Sequence, residues 1–276
     1  MSSLSSSSTE SPAWKAKRIG FGAFGQVYAL EGRSMAFKVT TFESAKILEK
    51  EFEIIRTLYV TSTSTGSDSP SLFVIPRPYG YYKPKGEDSA AKFEDVPASQ
   101  TSTKRTLGPP LTAEDAEQLS AMLPVQGPMC AMDLIMPIPL SIAPKIRRFY
   151  PKGSDKLPDP RLCRLWFGKV IEESRLLQVN TDSFPLDVER YTVVSQKDDA
   201  FPTAEEVALG MGVMLSRIHW RAGYSGRDIE FVMGGLDVGS LGFYCIDFNQ
   251  VGLFILILPC LLTRSFSLRW NSGIKP

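Results

Sequence analysis

Three glycines and a valine constrain the first part of this 276-residue chain more than any other feature: Gly20, Gly22, Gly25 and Val27, in Arg18-Ile-Gly-Phe-Gly-Ala-Phe-Gly-Gln-Val-Tyr28. Apolar residues on both sides of the glycines predict strand, glycine turn, strand. A tight turn at Glu31-Gly-Arg-Ser34 then leads to a third strand ending in Phe37-Lys-Val39. Three consecutive antiparallel strands follow from that pattern. Glycines lacking a Cβ let backbone amides close over phosphate groups, and Lys38, eleven residues after Val27, can supply charge to the α and β phosphates. A glycine-rich hairpin with no ligand is the competing reading. The aromatic Phe24 between the last two glycines and the Ala-x-Lys of the third strand favour the phosphate cradle.

A helix is expected from Phe42 to Tyr59, because Leu48, Phe52, Ile55 and Tyr59 recur at helical spacing along one stripe. Glu51 borders that stripe, where a carboxylate can turn inward to meet Lys38; Glu49 is the alternative partner. Residues 60–71 read as a polar loop, Leu72–Ile75 as a short strand and Tyr79–Tyr82 as another. Lys, Glu, Ser, Thr and Pro dominate from Lys83 to about Pro110, the composition of a disordered insertion. A short helix is expected from Thr112 to Leu123, and Met129–Met136 reads as a buried strand stopped by prolines. The Ser-rich residues 1–13 cannot bury enough apolar surface to hold a fixed structure.

Charge and cysteine usage exclude several functions. Lys plus Arg number 31 against 30 for Asp plus Glu, so no net field draws the chain to nucleic acid. Cys130, Cys163, Cys245 and Cys260 show no C-x-x-C spacing, and His219 is the sole histidine, which rules out the usual zinc patterns and any disulfide framework. A reducing, intracellular setting, cytoplasmic or nuclear, is expected. The apolar run after Gly252 is broken by Pro259 and falls short of a membrane span.

In the second half, Pro202-Thr203 opens the clearest helix: Thr203 and Glu206 form a capping box, and Val207, Met211, Met214, Leu215 and Ile218 make a buried stripe. His219 closes it and reads as a hydrogen-bonded structural residue rather than a general base. For Arg161–Gln178, helix and strand readings compete. Asp228 precedes Asp247 by 19 residues, and the block Leu241-Gly-Phe-Tyr-Cys-Ile-Asp-Phe-Asn249 reads as a buried strand ending in the second carboxylate. This order of acidic residues, a helix ending before the first and a strand ending at the second, resembles the way a kinase large lobe places its base and its magnesium ligand.

These residues resemble the protein-kinase-like fold, shared with small-molecule kinases. Leu215-Ser-Arg-Ile-His-Trp220, Asp228-Ile-Glu-Phe-Val-Met-Gly234, Cys245-Ile-Asp-Phe-Asn249, and Arg164-Leu-Trp-Phe-Gly168 with Phe184-Pro-Leu186 are similar, more closely, to an uncharacterised fungal family. That family is a domain of unknown function, sometimes labelled a zinc-finger protein; the zinc label finds no ligand set here. The resemblance spans roughly residues 19 to 250. It implies an α+β bilobal fold: an antiparallel sheet plus helix in a small lobe (residues 14–136), and a mainly helical, incomplete large lobe (137–250). The atypical apolar tail of residues 251–276 lies outside it. It further implies ATP and Mg as cofactors, Lys38 as the phosphate lysine with Glu51 as its partner, Asp228 as the catalytic-loop aspartate and Asp247 as the metal aspartate. Met129–Met136 would lead to a hinge that meets the adenine edge.

Three departures weaken the implied chemistry. Gly226 stands where histidine is usual, Met233 replaces the asparagine that binds a second magnesium, and Asn249 replaces the glycine of the metal-strand turn. Glu230 or Asn249 is then the substitute ligand on offer. The expectation is a degenerate kinase-like module, a pseudokinase that still holds nucleotide and acts through a protein partner. The alternative is an ATP- and magnesium-dependent phosphotransferase using Asp228 and Asp247.

Overall fold

The computed structural model describes residues 14–63, 71–84, 91–92, 113–154, 156–172, 176, 180–196, 198, 201–236 and 239–253. The Ser-rich tail, most of the expected insertion and residues 254–276 of the apolar tail lie outside them. The fold is α+β and is built on two sheets.

The glycine-bearing segment forms β1 (Ala16–Gly22) and β2 (Gly25–Leu30), an antiparallel hairpin, and β3 (Met35–Val39) pairs antiparallel with β2. Alternation along β3 divides its side chains. Met35, Phe37 and Val39 pack against α2 (Ala113–Met122), burying Ala116 and Leu119, while Ala36 and Lys38 face the opposite side. With β5 (Pro78–Tyr82), β6 (Ala91–Lys92) and β7 (Met129–Asp133) the sheet runs β1-β2-β3-β7-β5-β6. The two residues of β6 fall within the stretch expected to be a disordered insertion, and they pair with Tyr81 and Tyr82.

A single 3₁₀ turn at Phe42–Ser44 precedes α1 (Ala45–Thr63), which outruns the expected end at Tyr59. The hydroxyls of Thr57, Thr61 and Ser62 donate to the carbonyls of Glu53, Thr57 and Tyr59. Side chains that favour a loop in the sequence thereby satisfy themselves within the helix. Leu48 and Phe52 of α1 pack with Tyr81 and Cys130 beneath the first sheet, and Ile54, Ile55, Leu58 and Tyr59 enter a second, larger core.

That second core lies on one face of the other sheet. Its order is β4-β11-β10-β8-β9, from β4 (Phe73–Val74), β8 (Cys163–Leu165), β9 (Phe184–Leu186), β10 (Glu230–Gly235) and β11 (Leu241–Ile246). A mainly helical second half omits this sheet, and β8 settles the competing readings of Arg161–Gln178 in favour of a strand at Cys163–Leu165. β4 pairs in parallel with β11, so the second sheet takes a strand from ahead of residue 137. The helices here are α3 (Ala143–Arg147), α4 (Val188–Ser195) and α5 (Ala204–Ser216), the last opened by the expected Thr203–Glu206 capping box. Val207, Met214 and Ile218 of its stripe are fully buried, whereas Met211 and Leu215 are half-buried. Among the described residues no helix is long and apolar enough to cross a membrane.

Candidate functional site

A cavity of about 740 Å³ lies between the two sheets. The glycine hairpin contributes Gly20, Gly22, Gly25 and Val27 to its lining, and Lys38 and Glu51 line it from β3 and α1. From the second sheet come Arg164, Glu230, Ile246 and, just beyond β11, Asp247 and Asn249; Asp228 lines it as well. The hairpin glycines, Val27, Lys38, Glu51, Asp228, Asp247 and Asn249 therefore border one cavity, and the alternative partner Glu49 does not line it.

Lys38 is held closely. Its Nζ donates to both oxygens of Glu51, at 2.6 and 2.8 Å, and stands 3.5 Å from Oδ1 of Asp247. Helical spacing puts Glu51 on the same face as Leu48 and Ile55, which buries it to 3 % exposure and aims it at β3. Glu49 is exposed, and its charge bears on Tyr81 instead. Burial pulls the Lys38 ammonium down, but the Glu51 and Asp247 carboxylates more than reverse this and hold its pKa above the ordinary 10.5. A buried cation gripped in this way has a fixed position.

Asp247 reaches the cavity through a break in strand alternation. On β11, Leu241, Phe243 and Cys245 face the second core and Ile246 faces the cavity, so residue 247 would point into the core. Its backbone is left-handed instead, with φ 62°, and Phe248 takes the core place at 1 % exposure. Asp228 has the same conformation, φ 63°. Ahead of it, the Gly226 amide donates to Nε2 of His219 at 3.0 Å, so His219 is hydrogen-bonded within the fold and its Nδ1 carries the proton in the neutral ring.

The floor of the cavity holds an ion pair that sequence reasoning missed. Arg164 on β8 donates to Glu230 on β10 at 2.8 Å, from the face opposite Cys163 and Leu165. Burial raises the Glu230 pKa despite Arg164, with Asp247 and Asp228 adding to the rise. The readable signal was the alternation Cys-Arg-Leu, which puts an arginine on the cavity side of a strand whose other side chains are buried.

The donor set for magnesium is sparse. Asn249 does not offer Asp247 a second oxygen; its Nδ2 donates to Asp247 Oδ1, and its own Oδ1 is buried without a partner. Met233 is fully buried in the second core and cannot reach the cavity. Among the described residues no group of three or more His, Cys, Asp or Glu side chains could hold a metal ion. The oxygens present suit a magnesium ion carried by ligand phosphates, which needs only one or two protein carboxylates. They do not build a metal site of their own.

Neither a family model, nor a curated protein, nor a solved structure matched the chain.

Proposed function

We propose that this protein is a kinase-like, bilobal nucleotide-binding module that has lost efficient phosphotransfer and acts through a protein partner. The observation that carries the reading is the Lys38 ammonium, fixed by Glu51 and adjacent to Asp247 in a cavity roofed by glycines. A nucleoside triphosphate is the ligand whose shape and charge suit those parts: phosphates under the hairpin, Lys38 on the α and β groups, and magnesium bound to the phosphates beside Asp247. Asp133 and Leu134 spend their amides on the carbonyls of Arg77 and Ser34, so this reading assigns the next amide, that of Ile135, to the purine edge. Loss of phosphotransfer follows from the core position of Met233 and from Asn249 donating to Asp247 rather than sharing a metal with it.

One observation favours a second reading, an ATP- and magnesium-dependent phosphotransferase: Asp228 and Asp247 line the same cavity as Lys38. There Asp228 would orient an acceptor hydroxyl and accept its proton, and Asp247 would hold magnesium.

Thermal unfolding with and without ATP and magnesium tests the first reading, since a ligand that binds the native state raises the midpoint. A Cβ at Gly22 meets nothing within 4 Å, so Gly22→Asp keeps the fold and puts a negative charge under the phosphates. The expected result is a magnesium-dependent rise in the parent that Gly22→Asp abolishes. No rise at saturating ATP defeats both readings. Magnesium-dependent ATP turnover that is lost in Asp247→Asn establishes the phosphotransferase.

A further inference from the structure

Arg161 lines the cavity as a half-buried cation that nothing neutralises. Among the described residues no acceptor takes a hydrogen bond from its guanidinium, and no carboxylate forms an ion pair with it. Other half-buried arginines are spent: Arg164 on Glu230, Arg190 on Asp187 and Arg147 on Asp159. Burial pulls the Arg161 pKa below its ordinary value, and the exposed Asp182 opposes this without reversing it. The backbone on both sides is fixed. The Ile138 amide donates to the Arg161 carbonyl and the Arg161 amide to the Thr181 carbonyl, each at 2.7 Å. A guanidinium held in place, partly desolvated and without an acceptor is a recognition element for an anion.

Strand register puts this cation at one end of the cavity and Asp247 at the other. On β10, Glu230 lies opposite Ile246, the residue before Asp247, and Gly235 bridges Met136. Those five steps of strand cover about 17 Å. β8 runs antiparallel to β10, with Arg164 opposite Val232 and Cys163 opposite Met233. Leu162 accordingly reaches Gly234, where a Cβ would lie 2.9 Å from Leu162 Cδ2 and 2.6 Å from Ile135 Cγ2. Arg161 follows at the level of Gly235, near Ile135, whose amide the nucleotide reading assigns to the purine edge. Lys38, 3.5 Å from Asp247, belongs to the far end. Phosphates held by Lys38 leave Arg161 without its anion.

We infer that Arg161 forms a second anion subsite, at the Ile135 end of the cavity, for a phosphate or carboxylate distinct from the phosphates at Lys38. The carrier of that anion, though not the subsite, rests on the nucleotide reading. Two carriers have the required chemistry. One is an adenine nucleotide phosphorylated on its ribose, a group that a nearby arginine accommodates in other nucleotide sites. The other is a separate small anion lying beside bound ATP. In either case the guanidinium fork offers two parallel hydrogen bonds.

Arg161→Met in the full chain keeps the length of the stem and removes the charge. It should unfold no earlier than the parent, because no acceptor is stranded; earlier unfolding would mean that the guanidinium already has a partner and would overturn the inference. Calorimetric titration then compares AMP with adenosine 2′,5′-bisphosphate and adenosine 3′,5′-bisphosphate, and adds inorganic phosphate to the ATP-saturated chain. A charge-assisted pair should make at least one bisphosphate bind about tenfold tighter than AMP, or let phosphate bind on top of ATP. Arg161→Met should abolish that advantage and leave ATP affinity within about twofold of the parent's. A bisphosphate advantage assigns the anion to the ribose, and phosphate binding beside ATP assigns it to a separate ligand. The inference is overturned if neither occurs, if the advantage persists in Arg161→Met, or if Arg161→Met weakens ATP itself, which puts Arg161 on the triphosphate. Inorganic phosphate alone separates this inference from the nucleotide reading. If no adenine nucleotide binds, that reading fails, while phosphate binding lost in Arg161→Met sustains the subsite and its absence removes both.

Discussion

Asp228 and Asp247 share a left-handed backbone, φ 63° and 62°, and border the same cavity from the two ends of the β10–β11 hairpin. Among the described residues they are the two non-glycine positions with positive φ. Each costs the fold on the order of 1 kcal/mol relative to glycine, moderated because aspartate tolerates this region better than most side chains. Strain retained at two carboxylates facing one cavity is the pattern of a site rather than of a scaffold.

From that strain comes the first prediction. Asp228→Gly should unfold no earlier than the parent, since the backbone is relieved and the side chain is exposed. Asp228→Val should lose about 2 kcal/mol, as a β-branched residue is disfavoured there. Urea denaturation of both variants measures the difference. Equal stability of the two would mean that residue 228 is not held left-handed in solution.

Lys38 and Glu51 should behave as a unit. Lys38→Ala leaves a carboxylate of 3 % exposure without its cation, at a cost of about 3–5 kcal/mol. Lys38→Met combined with Glu51→Leu removes both charges and should recover most of the loss, to within about 1–2 kcal/mol of the parent. A double variant no more stable than Lys38→Ala would show that Asp247, 3.5 Å from the amine, carries the dependence instead.

Much of this site was legible in the sequence because it follows local rules. Glycine spacing and strand alternation placed the hairpin and Lys38, and helical periodicity put Glu51 on the face of α1 that looks at them. The Thr203–Glu206 capping box started α5 where expected. What could not be read depends on contacts between distant segments. Arg164 meets Glu230 only because β8 and β10 are neighbours 66 positions apart in sequence. The second sheet was hidden for the same reason: its strands are only two to six residues long, and one comes from before residue 137. The turn at Asp247 was unreadable because aspartate, unlike glycine, does not announce a left-handed backbone.

Asp187 shows the same limit and gives a third prediction. Its carboxylate, 2 % exposed, accepts from the amide of Arg190 as the cap of α4, from the amide of Ile171 across the chain, and from the Arg190 guanidinium. Asp187→Ala strands two amides and a cation at once and should cost about 3 kcal/mol. Asp187→Asn retains an acceptor and should cost less. If urea denaturation ranks the two variants the other way, the carboxylate is not the anchor of this corner.

Alkaline pH offers a test of the first sheet's core. Burial pushes the Cys130 thiol up to about 12 from 9.0. The folded pKa is raised, so the stability it contributes is whole below pH 9 and is lost as the pH climbs through 12. Lys38, raised above 10.5, acts in the same direction over the upper part of that window. Between pH 9 and 12 the parent should lose stability, and Cys130→Ala should flatten the slope by about 1.4 kcal/mol per pH unit. An unchanged slope would mean that the thiol ionises as readily in the folded chain as in the unfolded one.

The glycines of the hairpin are not equivalent, and alanine at each should separate folding from binding. At Gly25, φ is 150° and a Cβ would lie 2.6 Å from the carbonyl oxygen of Val39, a backbone atom that cannot step aside without moving β3. Gly25→Ala should therefore lower stability by about 2 kcal/mol or more, with or without ligand. At Gly22 a Cβ meets nothing within 4 Å and φ is unremarkable, so Gly22→Ala should unfold with the parent to within about 0.5 kcal/mol. Any fall in ATP-induced stabilisation in Gly22→Ala then reads the approach of phosphate to the hairpin alone. If Gly25→Ala is as stable as the parent, the close approach of β2 to the end of β3 does not exist. If Gly22→Ala unfolds early without ligand, the turn is packed in solution and is not an open cradle.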